Sequence, residues 1–81
     1  MRIVPNASLD ITREACPMTY VRTKLKLESM AEGEVLEVFL RGEDPVKSVP
    51  RSAAEEGHEL LSLELAAADT WRLLLRKKRR L

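Results

Sequence analysis

The chain has 81 residues, 44% of them hydrophobic and 33% charged, and its 14 basic and 13 acidic side chains give a net charge of +1. We expect one domain over residues 1–81 with a small core, because a chain of this length buries only about 60–65% of its unfolded surface. The near-neutral charge argues against a general nucleic-acid binder. A single cysteine excludes an internal disulfide, and no apolar run has the length of a signal peptide or a membrane-spanning helix. We therefore expect a cytoplasmic protein.

The first half of the chain predicts a strand, a helix and a strand. Residues 8–12, SLDIT, alternate with Leu9 and Ile11 on one side. From Pro17 the pattern becomes helical, and Gly33 ends that segment. The apolar residues predict a core-facing side of this helix, which consists of Met18, Val21, Leu25, Leu27 and Met30. Residues 34–40, EVLEVFL, have the composition of a strand buried on both faces.

The second half predicts a helix and two strands. Asp44 can cap a helix over residues 45–56 with Pro45 in its first position, and Gly57 can end it. Pro50 must bend or restart this helix. Residues 58–65 alternate, which predicts that Leu61, Leu63 and Leu65 share a face. Residues 70–77 alternate in the same way, with Trp71, Leu73 and Leu75 pointing inward, and residues 66–69 form the turn between the two strands.

This order, βαβαββ, predicts an α/β (α+β) fold. We expect a two-layer sandwich in which two helices cover one face of a four-stranded mixed sheet. The closing pair of strands would be an antiparallel hairpin. Residues 76–81, RKKRRL, form a basic tail that we interpret as a solvated, frayed end rather than as a contact surface for nucleic acid or an acidic protein.

Cys16 lies at the junction between the first strand and the first helix. Pro17 fits the first helical position, which makes Cys16 the cap residue. A thiolate is stabilised at that end of a helix, where unpaired backbone N–H groups carry about half a positive charge, and its pKa can fall from about 8.5 to about 3.5–7.5. The alternative interpretation is a small buried apolar residue. From position alone, both interpretations stay open.

The usual partners of a catalytic thiol are missing from the sequence. The one histidine, His58, is predicted on a surface strand and nothing marks it as a base. Position 19 is Thr19 rather than a second cysteine, and the ligands of a zinc site and a glycine-rich phosphate loop are absent. We therefore expect no metal and no cofactor. A lone activated thiol suits a carrier that accepts a group, holds it and passes it on.

A family resemblance rests on several of these residues together. Asp10 is followed six positions later by Cys16-Pro17 and then by Lys24, and further on come GEVLEVFL and Asp44-Pro45. Over residues 8–77 the chain resembles the TusA/SirA family of small sulfur-carrier proteins. Two departures affect the rim around the cysteine: Thr19 stands where the family motif Cys-Pro-x-Pro has its second proline, and residues 13–15, Arg-Glu-Ala, replace a Gly-Leu-x sequence.

The resemblance implies a function and a set of partners. Family members hold sulfane sulfur as a persulfide on the cysteine matching Cys16, receive it from a cysteine desulfurase or a rhodanese-like donor, and deliver it to an acceptor protein. The routes in the family lead to tRNA thiolation or to cytoplasmic sulfur oxidation, and the departures favour the sulfur-metabolism branches. Such a carrier is a sulfurtransferase-type relay rather than a self-sufficient enzyme, and a monomer suits it.

Four residues are assigned supporting roles around Cys16. Pro17 would fix the entry of the helix, and Arg13 would attract an acidic partner or stabilise the persulfide, unless it is a solvated loop residue. Lys24 matches a family lysine, and Asp10 would accept backbone N–H bonds from the loop.

Two further side chains are candidates for contact with the thiol. Tyr20 and Met18 could form an apolar ring around it, although Met18 also fits the core. Two other classes of protein remain open: a small RNA- or protein-binding regulatory module without thiol chemistry, and a redox regulator that forms a mixed disulfide at Cys16.

Overall fold

The computed structural model describes residues 4–15 and 18–78. Its elements, in chain order, are β1 (Ala7–Asp10), α1 (Met18–Glu28), β2 (Val35–Arg41), α2 (Glu43–Glu55), β3 (Glu59–Ala67) and β4 (Thr70–Arg76). The predicted order βαβαββ is confirmed. None of the helices in these two ranges is long and apolar enough to cross a membrane.

The sheet has the strand order β1-β2-β4-β3. β1 runs parallel to β2, with Leu9 opposite Val38. β4 is antiparallel to both β2 and β3, with Leu73 opposite Val38 on one side and Leu63 on the other. The mixed four-stranded sheet is therefore as predicted. A parallel pair needs a crossover, which α1 supplies between β1 and β2, whereas β3 and β4 are joined by a tight turn.

The core lies between one face of the sheet and the two helices. Alternate residues of the central strands β2 and β4 point to this face, and the residues buried there are Leu36, Val38, Leu40, Leu73 and Leu75. Leu27 of α1 and Val49 and Ala53 of α2 pack against them. Each large apolar side chain contributes about 1.5–3 kcal/mol when it is fully buried. Both helices thus cover the same face, which confirms the two-layer sandwich.

The predicted core-facing side of α1 is wrong for three of its five residues. Met18, Val21 and Leu25 are exposed, and the buried residues of the helix are Thr19, Thr23 and Leu27, spaced by four. Threonine can occupy a core because its methyl group packs like that of valine. The Thr23 hydroxyl donates to the carbonyl oxygen of Thr19 at 2.8 Å, whereas the buried Thr19 hydroxyl is without a hydrogen-bond partner among the described residues. We call Met18, Val21 and Leu25 the exposed face of α1.

α2 begins two residues earlier than predicted. Gly42 rather than Asp44 is its N-cap, and it makes no side-chain cap hydrogen bond. Pro45 consequently lies in the third helical position, where its missing N–H is still harmless because the first turn has no intrahelical acceptors. Pro50 lies inside the helix, which continues through it to Glu55 without a restart.

The end of α2 is fixed by its backbone. Gly57 has a φ of 95°, which a glycine adopts without strain. Its N–H donates to the carbonyl oxygen of Ala54 and the N–H of His58 donates to that of Ala53, at 3.0 and 3.1 Å. These two bonds form a Schellman motif, and they confirm Gly57 as the stop. Glu56 is therefore held in a defined position at the C-terminus of α2.

β3 departs from the alternation that the sequence predicts. Its register against β4 shifts between Leu60 and Ser62 and again between Leu65 and Ala67. Each bulge adds a residue to one strand, so the two-residue period does not continue through it. Leu63 packs against the core, but Leu65 remains 58% exposed. No register shift separates Leu63 from Leu65, so these two residues share a face as predicted. Leu61 lies at the first shift, where the alternation is interrupted.

Candidate functional site

The loop after β1 carries the chain from the sheet to α1. Ile11 is buried and its N–H donates to the carbonyl oxygen of Phe39 at 3.1 Å, which extends the pairing with β2 by one residue. The N–H of Glu14 then donates to the carbonyl oxygen of Ile11 at 3.1 Å, and that of Met18 donates to Ala15 at 2.8 Å. The loop is thus anchored on both sides of Cys16 and Pro17, which themselves lie outside the described residues.

Asp10 organises the start of this loop. Its Oδ1 accepts the backbone N–H of Thr12 at 2.9 Å and the Thr12 hydroxyl at 2.7 Å. These two bonds, together with the charge of Arg13, lower the pKa of the Asp10 carboxyl. The backbone hydrogen bond expected of Asp10 is therefore present, and the residue serves the local fold of the loop.

The loop is also tied to the side of α1. The Nε of Arg22 lies 2.6 Å from Oε1 of Glu14. Arg13, one residue earlier, is exposed. The ion pair between Glu14 and Arg22, which was not predicted, spans the segment that contains Cys16, because Arg22 lies about one helical turn beyond Met18.

Lys24 and Tyr20 point away from the loop, toward the C-terminus of α2. The Tyr20 hydroxyl donates to Oε2 of Glu56 at 2.6 Å, and Nζ of Lys24 lies 3.2 Å from Oε1 of the same carboxylate. The Tyr20 bond, followed by Lys24, lowers the pKa of Glu56, while partial burial and then the bond to Glu56 raise that of Tyr20. The Tyr20 hydroxyl thus binds the end of α2, and Met18 is exposed. The apolar ring expected of these two residues concerns Cys16, which lies outside the described residues, so it stays a prediction.

Beyond this carboxylate lies a cleft of about 600 Å³, which Lys24, Glu56, His58, Lys77 and Lys78 help to line. His58 is only 7% exposed, so its prediction as a surface residue is wrong. Its Nδ1 accepts the backbone N–H of Lys78 at 3.1 Å, which requires that this nitrogen carry no proton.

The described part of the basic tail is not a frayed end. Arg76 belongs to β4 and its Nη1 lies 3.3 Å from Oε1 of Glu59. The N–H of Lys77 donates to the carbonyl oxygen of Glu34 at 2.8 Å. Residues 76–78 are therefore held by the fold, which corrects the prediction for this stretch. Residues 79–81 lie outside the described ranges.

We expect the free energy of unfolding to fall as the pH drops below about 6.5. Burial, and then the charges of Lys77 and Lys78, lower the pKa of His58, against an opposing effect of Glu56. The unfolded chain therefore binds a proton before the folded one does, so the stabilisation is complete above the unfolded pKa of about 6.5 and is lost toward lower pH. Urea unfolding at pH 7.5 and pH 5.5 measures this difference.

A His58→Asn variant is the control for this prediction. Asparagine retains an acceptor for the Lys78 N–H but does not titrate. Since His58 is the only histidine of the chain, its replacement should leave the stability nearly flat over this interval. A wild-type protein that is equally stable at both pH values would contradict the expectation.

The structure brings only some of the predicted site residues together. Asp10 and Arg13 lie in the loop before Cys16, whereas Lys24 is engaged with Glu56. Within residues 4–15 and 18–78, no cluster of His, Cys, Asp or Glu could hold a metal ion. No local pattern indicates a role for Glu56, because its partners lie more than thirty positions away in the chain.

The chain was compared with protein families and solved structures. Residues 7–77 match the family model described as Sulfurtransferase TusA. The chain is 48% identical, over 95% of its length and 88% of the relative, to an Archaeoglobus fulgidus protein named "Putative sulfur carrier protein". A Thermotoga maritima protein of the same name is 32% identical over 88% of the chain and 90% of its own length.

Solved structures show the same fold. A SirA-like protein from Desulfitobacterium hafniense superposes with a TM-score of 0.77 over 90% of this chain and 99% of its own, at 16% identity. A solution structure from Helicobacter pylori gives a TM-score of 0.69 over 89% and 97% at 20% identity. The match over residues 7–77, the two relatives and the shared sandwich agree: the chain belongs to the sulfurtransferase TusA family.

Proposed function

We propose that the protein is a cytoplasmic sulfur carrier that accepts sulfane sulfur as a persulfide on Cys16 and relays it to an acceptor protein. The observation that carries this proposal is the family match over residues 7–77, which includes the only cysteine of the chain. The names of the two relatives support it. The donor would be a cysteine desulfurase or a rhodanese-like protein, and the end of the route either tRNA thiolation or sulfur oxidation.

The relay needs no external oxidant. The Cys16 thiolate attacks the outer sulfur of the donor's persulfide, a new S–S bond forms on Cys16, and the donor cysteine leaves as a thiolate. In the second step an acceptor thiolate attacks the outer sulfur on Cys16, and Cys16 leaves as a thiolate. The transferred sulfur keeps its oxidation state throughout. Each step is a thiol exchange at sulfur, and its rate depends on how much of the attacking thiol is ionised.

The start of α1 favours such an ion. The first described residue of the helix, Met18, comes two positions after Cys16, and the first turn contains no acidic residue. The partial positive charge at this end of the helix is therefore not compensated locally, and it would stabilise a thiolate or a persulfide anion. Thr19, which replaces the second proline of the family motif, is buried in this turn.

The exposed face of α1 supplies a docking surface for the protein partners. It begins two residues after Cys16 and continues along the helix through Val21 to Leu25, which is 62% exposed. A relay must bring a partner's cysteine to Cys16, so the surface next to the thiol is the one that the partner covers. Large apolar residues on such a surface supply binding free energy when they are buried in a complex.

The alternative, an RNA-binding module, finds less support. On the face of the sheet opposite the helices, Arg72 is hydrogen-bonded to Glu37 and Arg76 lies beside Glu59. These arginines are therefore balanced by carboxylates rather than presented as a basic surface. A protein binds RNA phosphates mainly through Lys and Arg side chains that replace the counterions of the RNA, and arginines paired with carboxylates are less able to do so.

The test of the proposal is the intact mass of the protein after exposure to a sulfur donor. We expect incubation with a cysteine desulfurase and cysteine, or with polysulfide, to add the mass of one sulfur atom, and a reductant to remove it. Cys16→Ala should abolish the gain. An unmodified mass with every donor, combined with salt-sensitive RNA binding, would favour the RNA-binding module, and a glutathione adduct as the only product would favour a redox regulator.

A further inference from the structure

α1 is attached to the rest of the fold by few apolar contacts. Its buried residues are two threonines and Leu27, and the partly buried Tyr20 also packs against the core, whereas the three residues of its exposed face contribute little to it. Amphipathic helices in proteins are normally held by their apolar side. The position of α1 must therefore depend more than usual on its polar contacts.

The polar contacts between α1 and the end of α2 centre on the carboxylate of Glu56, and the Tyr20 hydroxyl also lies 3.4 Å from the carbonyl oxygen of Ser52. Glu56 accepts the Tyr20 hydroxyl at 2.6 Å on Oε2 and meets Lys24 Nζ at 3.2 Å on Oε1. Tyr20 and Lys24 are four positions apart and so lie on the same side of α1, one turn from each other. The side chain of Glu56, at the C-cap of α2, thus contacts two successive turns of α1.

Glu56 itself is fixed by its surroundings. It follows the last residue of α2 and precedes Gly57, whose backbone geometry closes the helix. Its carbonyl oxygen accepts a hydrogen bond from the Lys78 ammonium at 3.0 Å, which connects it to the segment that follows β4. The carboxylate is therefore presented to α1 from a rigid support.

We propose that Glu56 is a positioning residue for the thiol chemistry, because it holds α1 and thereby the helix start beside Cys16. This inference rests on the proposed function. The first turn of a helix stabilises an anion only while its backbone N–H groups converge on one place. A helix released from Glu56 would present these groups less consistently, so the thiolate would lose part of its stabilisation.

Loss of the ion pair between Lys24 and Glu56 would shift the thiol pKa by a smaller amount and in the opposite direction. Without Glu56, the Lys24 ammonium would be unpaired and would favour a thiolate. It lies six residues beyond Met18, about 9 Å along the helix axis at 1.5 Å per residue. At physiological ionic strength an exposed charge is largely screened over about 8 Å. Loss of positioning and release of Lys24 therefore predict opposite shifts of the thiol pKa.

The experiment compares Glu56→Ala with Glu55→Ala in the full chain. Glu55 is the neighbouring residue, and its Oε1 lies 3.3 Å from Nε of Arg51 within α2. The rate of Cys16 alkylation by iodoacetamide is measured as a function of pH, and thermal unfolding is followed alongside. We expect Glu56→Ala to raise the thiol pKa by about half a unit to one unit, which lowers the alkylation rate by about three- to tenfold at pH values below both thiol pKa values. Glu55→Ala should leave the profile unchanged.

Tyr20→Phe keeps the aromatic ring and removes only the hydroxyl. This variant replaces Glu56→Ala in the experiment if Glu56→Ala does not fold. It should shift the alkylation profile in the same direction by a smaller amount. The role of Glu56 is overturned if the alkylation profile of Glu56→Ala stays in place or moves to lower pH, even if the melting temperature falls. The same outcomes count against it in Tyr20→Phe if that variant replaces Glu56→Ala. A wild-type thiol with an ordinary pKa contradicts the activated thiol of the proposed function and removes the positioning role with it.

Discussion

Leu27→Ala should lower the free energy of unfolding by about 2–5 kcal/mol, whereas Leu25→Ala should change it by less than about 0.5 kcal/mol. The two leucines lie two positions apart in the same helix. Leu27 is fully buried in the core cluster, and its truncation leaves a cavity among packed side chains, while Leu25 is 62% exposed. Denaturant unfolding of both variants, followed by circular dichroism, measures the two differences.

The pair is its own control, because both substitutions remove the same atoms and have the same effect on helix propensity. The total stability of a small domain is about 5–15 kcal/mol, so the loss at Leu27 would be a large fraction of it. A larger loss at Leu25 than at Leu27 would show that α1 packs by the side formed by Met18, Val21 and Leu25. The observed orientation of the helix would then be wrong.

The order of the elements and the sheet could be predicted because their signals are local. The alternation predicted for β4 is present in the structure, with Leu73 and Leu75 inward as expected. Gly57 ends α2 because a left-handed residue is needed there. Each of these features depends on the chemistry of a few adjacent residues, which a single sequence displays directly.

The orientation of α1 could not be predicted in the same way. Residues 18, 21 and 25 and residues 19, 23 and 27 form two competing sides of one helix, and the first set is the more hydrophobic. Counting apolar residues selects Met18, Val21 and Leu25, whereas the fold buries Thr19 and Thr23. If the proposed docking surface is correct, the more apolar side was retained for a partner, and a single sequence does not distinguish a core from an interface.

Contacts between distant positions are the other part that the sequence did not reveal. His58 becomes buried because Lys78, twenty positions later, donates to it from the end of β4. Glu56 meets Tyr20 thirty-six positions away. Such pairs depend on how the helices pack on the sheet, and the residues around either partner do not indicate that packing. The candidate site was therefore predicted at the thiol and missed at the groups that support α1.

We expect Leu25→Glu to slow the loading of Cys16 from a cysteine desulfurase by about tenfold or more, a loss of about 1.4 kcal/mol or more of binding free energy. The reason is that a carboxylate placed on the exposed face of α1 would have to lose its hydration when the donor covers this face. The fold should not be affected, since Leu25 is solvent-exposed. Loading is measured by intact mass over time, at a donor concentration below saturation.

Two controls separate docking from chemistry. Polysulfide is a small donor that needs no docking surface, so Leu25→Glu should load from it as fast as the wild type does. Leu60→Glu makes the same change at a residue that is 48% exposed on β3, at the opposite edge of the sheet from β1, and it should load normally from the desulfurase. Equal slowing by both variants would mean that added negative charge, and not the exposed face of α1, governs the transfer. Normal loading of Leu25→Glu from the desulfurase would exclude this face as the surface that the donor covers.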